Sequence, residues 1–206
     1  MKLKPSPFIA LVALTIAFNS SAQILTIEPD LFADATILNH AFPQVSLVTA
    51  GANNLPIPFN VTASFDGFGY TSTGTKVFGH AGGIPFWNSN RRLRMDFGGP
   101  INFLAIDFIG GWTLTNDIGK LDVFNSAGVL LDSYTTAPRP ADIVETMTIS
   151  RPAGDIAWAV AYLPVDGGDF GRLDNLRFTA APEPTTCSVI LLGVAVAFAS
   201  RRRERK

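Results

Sequence analysis

Between residues 24 and 178, apolar and polar positions alternate in short runs instead of recurring every third or fourth place. Such runs fall at 24–27, 45–49, 60–65, 76–78, 92–97, 103–109, 120–124, 129–134, 145–150, 156–163 and 173–178, with Gly, Pro, Asn or Asp between them. A period of two with turn residues between runs predicts strands, and no convincing helical pattern occurs there. In "RLRMDF", Leu93, Met95 and Phe97 alternate with Arg92, Arg94 and Asp96, which predicts one buried and one wet face. "DIAWAVAYL" puts Ile156, Trp158, Val160 and Tyr162 on one face and Ala157, Ala159 and Ala161 on the other, and reads as a central strand. "KLDVFNSAGVLLDSY" reads as a hairpin, with Asn125 opening the turn and Gly128 supplying a positive φ. In "RLDNLRF" the alternation slips at Asp174 and Asn175, the mark of a bulge. Short strands without an internal repeat predict an all-β fold, a two-sheet β-sandwich of jelly-roll type.

The two ends break this pattern. At the start, Lys2 and Lys4 precede an apolar run from Phe8 to Phe18, and Ser20 and Ala22 precede Gln23 as a small-residue cleavage site. Those are the parts of a secretory signal peptide over 1–22, an uncleaved anchor being the alternative. At the other end, 187–199 is unbroken by charge or proline. As a helix it spans roughly 20 Å at about 1.5 Å per residue, short of a bilayer core of about 30 Å. Arg201, Arg202, Arg203, Arg205 and Lys206 follow, and would hold that end at the cytoplasmic side of the inner membrane while their stems snorkel. The expected organisation is a signal peptide over 1–22, a sandwich over 23–181 and a single-pass anchoring segment over 182–206. A helix of the folded domain is the plainer alternative for the last part, but would hardly run straight into five cations.

Pro182, Glu183 and Pro184, then the short apolar stretch, then the arginine cluster resemble the PEP-CTERM sorting signal of Gram-negative bacteria. The resemblance implies an exosortase-type membrane protease as partner, cleavage near the motif, and delivery to the cell surface or exopolysaccharide matrix. Two prolines keep the approach extended, which presents Glu183 to a protease instead of coiling it into the helix. Cys187 departs from the usual aliphatic run, as a lipidation site or simply as filler.

Composition narrows the classes further. A chain of 206 residues with 47% hydrophobic and 16% charged residues suits one β-rich domain with apolar ends. Net charge is −1, but nine basic against fifteen acidic residues leave 23–181 near −6. An acidic body has no electrostatic reason to bind nucleic acid. With one cysteine no intrachain disulfide can form, so the domain rests on its core.

The "DF" at Asp96 with "PI" at Pro100, the Asn125–Gly128 turn and the closing "LDNLRF" resemble the galactose-binding-like β-sandwiches. That resemblance implies a fold shared by many sugar-binding modules, without a particular ligand. Such sandwiches often bind a structural calcium between first and last strands, which implies Glu28 or Asp30 together with Asp174 as oxygen ligands. An edge aspartate in an Asx turn is the plainer reading. For sugar contact, "FWNSNRR" offers Trp87, Asn88, Asn90 and Arg91, and "GWTLTND" offers Trp112, Asn116 and Asp117. An exposed indole stacks on a pyranose while amides and guanidinium bond its hydroxyls; alternatively both tryptophans cap the core. Catalytic patterns are missing: two histidines stand apart, no His-Glu-x-x-His or Gly-x-Ser-x-Gly occurs, and the Gly-rich "GHAGG" reads as a mobile loop. The expectation is an exported, exosortase-processed surface or matrix protein with a non-catalytic body linked to exopolysaccharide. The alternative is a carbohydrate-binding module with a structural calcium.

Overall fold

The computed structural model of the chain describes residues 23–111, 117–164 and 171–179. The expected signal peptide, the Pro182–Glu183–Pro184 motif and the basic cluster lie outside the described residues. Among those that are described, no helix is long and apolar enough to cross a membrane.

Each expected run is a strand: β1 (Ile24–Ile27), β2 (Val45–Ala50), β3 (Val61–Phe65), β4 (Lys76–His80), β5 (Arg92–Ile101), β6 (Phe103–Ile109), β7 (Lys120–Phe124), β8 (Leu130–Thr135), β9 (Val144–Ser150), β10 (Ile156–Tyr162) and β11 (Arg172–Thr179). A 3-10 turn at Pro29–Leu31 is the only helical element among the described residues. The strands form two antiparallel sheets, one ordered β3-β4-β11-β6-β9 and the other β2-β5-β10-β7-β8. β1 joins the first sheet by pairing Ile24–Ile27 with the second half of β11, beyond the point where β4 meets Leu173.

The inner faces make one core. Phe78, Leu104, Ile106, Phe108, Leu173 and Phe178 come from the first sheet, and Leu47, Leu93, Met95, Leu121 and Val123 from the second. Removing this much apolar surface from water at about 25 cal/mol per Å² is what lets the domain stand without a disulfide. The hairpin is present as read: β7 pairs β8, Gly128 has φ 78°, and Asn125 Oδ1 accepts the N–H groups of Ala127 and Val129. So is the bulge in β11, where the register shifts after Asp174 and Asn175 takes φ 47°.

Two readings need correction. "GHAGG" is no loose loop: Gly79 and His80 belong to β4, and a tight turn brings Ile84 back to pair with His80. In β10 Ile156 does not share a face with Trp158, Val160 and Tyr162. A register shift between Ile156 and Trp158 puts Ile156 with Ala159 and Ala161 inside, while Trp158, Val160 and Tyr162 lie on the outer face. That outer face is not simply wet. The Trp158 ring stacks on Phe124 at 3.9 Å and 7°, Arg94 sits 4.2 Å over it, and Arg92 sits 4.0 Å over Tyr162. The arginine stems and guanidinium faces seal a second, smaller apolar cluster.

Candidate functional site

Because Leu173 points into the core, strand alternation sends Arg172 and Asp174 to the opposite face of the sheet. Both are fully buried there. Segment 66–75 makes a strap over them. Asp66 pairs with Arg172 as an ion, its Oδ2 2.6 Å from Nε, while its Oδ1 accepts Nη2 at 3.3 Å, and the carboxylate also accepts the backbone N–H groups of Phe68 and Tyr70. Arg172 Nη1 donates to the Gly111 carbonyl, and its guanidinium faces the rings of Tyr70 and Phe86 at 4.8 and 4.9 Å. Burial pushes Arg172 below its ordinary range and Asp66 pulls it back. Further along, Asp174 Oδ2 accepts Ser72 N–H, Ser72 O–H and Thr73 N–H at 3.0–3.1 Å, and Oδ1 accepts Asn175 N–H.

This is where the three calcium candidates lie. Thr73 donates to Glu28 at 2.5 Å, so Glu28 and Asp174 share that loop residue. Burial raises the pKa of both carboxyls, and for Glu28 the nearby acids add to it. Asp30 serves a different pair, accepting the N–H groups of Thr75 and Lys76. It lies so close to Gly74 (φ 49°) that a Cβ there would come within 2.2 Å of its carboxyl carbon. Asp30 Oδ2 is buried without a hydrogen-bond partner. One orphan oxygen is not a cage, however, and among the described residues no three carboxylate, thiol or imidazole groups stand together at ion-binding distance. Both Asp174 oxygens already accept N–H or O–H groups of the strap and its own strand. Melting curves of the purified protein in calcium and in chelator are therefore expected to coincide. An upward shift in calcium of several degrees would return Glu28 and Asp174 to the role of ligands.

The sugar candidates separate. Trp87 is 0% exposed: its Nε1 donates to the Phe78 carbonyl at 2.7 Å and its ring meets His80 edge-on at 5.1 Å. It caps the core and cannot stack on a ligand. Asn88 closes a turn, its Oδ1 accepting the N–H groups of Asn90 and Arg91 at 2.9 and 3.0 Å. Asp117 is buried and accepts Gly111 N–H at 2.6 Å, a structural role on the same loop that Arg172 holds. Trp112 and Asn116 lie outside the described residues. Arg91 alone of these reaches a cavity wall, its guanidinium 5.2 Å from the centre of the Phe59 ring.

Phe59 lines an open cleft of about 440 Å³ beside the edge of β3, within the size range of small-ligand sites. Ile37, Pro58 and Phe59 supply apolar wall and Asn60 supplies an amide, while the buried Thr62 hydroxyl is engaged by Ser64 at 3.0 Å. Ile37 is 55% exposed and Phe59 38%, while the Asn60 side chain has no hydrogen-bond partner among the described residues. Two cleft residues, Ala35 and Ala81, hold φ values of 63° and 48°. An L-residue in the left-handed region costs about 1–2 kcal/mol, and such outliers cluster at ligand clamps. Behind Phe59 stands His80, buried, its ring 6.4 Å away. His80 Nε2 lies 2.8 Å from the Phe86 carbonyl, which can only accept, so Nε2 carries the proton. Nδ1 is buried without a partner, and burial lowers the imidazole pKa to about 4. This neutral, enclosed imidazole packs between Phe59 and Trp87. "LPIPFN" was the overlooked signal: Pro56 and Pro58 stiffen a loop that carries an apolar side chain and an amide outward.

No protein-family model matches the chain, and no curated protein matches it. Among solved structures, the K2 cleaved adhesin domain of Lys-gingipain aligns at 13% identity and a TM-score of 0.46, over 76% of this chain and 99% of that one. A family 29 carbohydrate-binding module aligns at 16% and 0.35 over 66% and 89%. The enzymatically active domain of a bacteriophage CBA120 tailspike protein aligns at 12% and 0.35, over 67% of this chain and 19% of that one. The sandwich itself is established by the strand pairings above, not by these likenesses.

Proposed function

We propose that this chain is an exported surface or matrix protein whose sandwich body is a non-catalytic module that binds carbohydrate in the cleft beside β3. The cleft carries this reading. It offers an apolar wall (Ile37, Pro58, Phe59) for the C–H face of a pyranose, and an unengaged amide on Asn60 for its hydroxyls. Such a pairing of apolar surface with a few convergent polar groups marks small-ligand sites generally. Export and sorting by an exosortase-type protease rest on the residue pattern at the two ends, Lys2 to Ala22 and Pro182 to Lys206. The jelly-roll reading is supported by β4 to β11, which divide into β4-β11-β6-β9 and β5-β10-β7-β8.

Two measurements test the two halves. Intact mass of surface material from the producing cells is expected to show a chain beginning near Gln23 and lacking Arg201 to Lys206. Full-length protein in the cytoplasm would overturn the sorting half. Phe59→Ala is expected to weaken retention on a polysaccharide affinity gel by about tenfold, the loss of one buried apolar contact of 1–2 kcal/mol. Unchanged retention, with the melting temperature unchanged, would move the site elsewhere.

A further inference from the structure

The described body is acidic, and its cations are almost all neutralised. Lys76, Arg94, Lys120, Arg139, Arg151, Arg172 and Arg177 each have a carboxylate within ion-pair distance: Asp30, Asp96, Asp122, Glu145, Asp155, Asp66 and Asp107 respectively. Among the described residues two cations have none, and they are neighbours in the chain, Arg91 and Arg92. Arg92 is engaged all the same: Nε donates to the Ser89 carbonyl, Nη1 to Asn54 Oδ1, and its plane lies over Tyr162. The Arg91 side chain makes neither an ion pair nor a hydrogen bond among the described residues. It rests on the ring of Phe59, a residue of the cleft wall. Among the described residues, Arg91 is thus the cation whose side chain is held by neither a carboxylate nor a hydrogen bond. The Phe59 ring is a support that orients a guanidinium without using its N–H donors.

We infer that the cleft selects an anionic sugar, with the Arg91 guanidinium pairing a carboxylate carried on the ring, as in a uronic acid polymer. This rests on the carbohydrate reading above and narrows it. The guanidinium fork matches a carboxylate bidentately, and a charge-assisted pair is roughly twice as strong as a neutral hydrogen bond. The negative field of the body repels an acidic polymer at long range, so the selectivity must come from this one local pair, and added salt should weaken it.

The experiment compares polygalacturonate with the same polymer fully methyl-esterified, which keeps the backbone and removes the charge. Affinity of the full chain for each is measured for wild type, Arg91→Gln, Arg91→Lys and Phe59→Ala, with melting curves to show that each variant folds. Wild type is expected to prefer the acidic polymer, and the preference to shrink as salt is raised. Arg91→Gln should lower affinity for polygalacturonate by at least about tenfold, to the level of the ester, while leaving the ester unchanged. Arg91→Lys should keep the salt dependence but only part of the affinity, and Phe59→Ala should lose both polymers. Equal binding of the two polymers by wild type, or a preference that survives Arg91→Gln, overturns the inference; loss of both in Phe59→Ala would then still uphold the carbohydrate reading. Binding of neither polymer by wild type overturns the two together.

Discussion

Replacing Arg172 with alanine is expected to lower stability by about 3–5 kcal/mol, the cost of removing one partner from a buried ion pair. Arg172 and Asp66 meet at 2.6 Å with side chains 0% and 1% exposed, so the loss leaves a buried carboxyl group without its cation. For a domain of this size each kcal/mol moves the melting temperature by roughly 2–4 °C, so a fall of about 6–20 °C should be seen by circular dichroism. The pair is not thereby a net source of stability, because desolvating both charges offsets much of their attraction. The double variant Asp66→Leu, Arg172→Met should therefore recover part of the loss. It should not recover all of it, since Asp66 also organises the strap by accepting Phe68 and Tyr70 N–H. An Arg172→Ala protein that melts with wild type would mean that the strap does not depend on the pair.

Stability is also expected to fall as pH drops from about 6.5 towards 4, through His80. The folded chain holds this imidazole neutral with a pKa near 4, against an ordinary 6.5. In that window the unfolded chain takes up a proton that the folded chain refuses, so acid favours unfolding. The contribution is present in full above pH 6.5 and is lost as pH falls through 4, amounting to roughly 3 kcal/mol at 1.36 kcal/mol per unit. The physical cause is burial, which penalises the charged imidazolium, and Nδ1 has no acceptor for a second proton among the described residues. Glu28 and Asp174 act with the opposite sign. Their carboxyls are raised by burial, so they hold protons more tightly when folded and favour the folded state as pH falls through their pKa values. Denaturant titrations of wild type and His80→Gln across this range separate the terms, since glutamine can keep the bond to the Phe86 carbonyl but does not titrate there. Parallel pH curves for the two proteins would show that His80 is not protonated differently on folding.

Much of the architecture was legible in the order of residues. Period-two alternation located every strand, because a strand's two faces meet different surroundings whatever its partners are. The β7–β8 turn and the β11 bulge were also readable, since Asn125, Gly128 and Asn175 act on backbone torsions within a few residues of themselves. What alternation leaves open is which face turns inward. In β10 the choice went against size: Ala159 and Ala161 face the core and Trp158 and Tyr162 face out, because the opposite sheet fills the space above the alanines. The same limit explains the site. Trp87 could be read as a sugar platform or as a cap on the core, and Phe59 was not singled out, yet Trp87 is sealed by Phe78 and His80 while Phe59 stands at the cleft. Burial belongs to the packed whole, and no local pattern carries it.

By itself, then, the chain determined its strands, its turns and its charge balance, all of which follow from neighbours in sequence or from composition. Only the tertiary structure decided which charges meet. Asp66 and Arg172 stand 106 positions apart, and Ser72 and Asp174 stand 102 apart. Arg91 is distinguished by the Phe59 ring that folding brings beneath it and by the lack of a carboxylate partner among the described residues. Coulomb and hydrogen-bond energies fall off within a few ångströms in solvent-screened surroundings, so a side chain's role is set by which distant segment folding brings beside it.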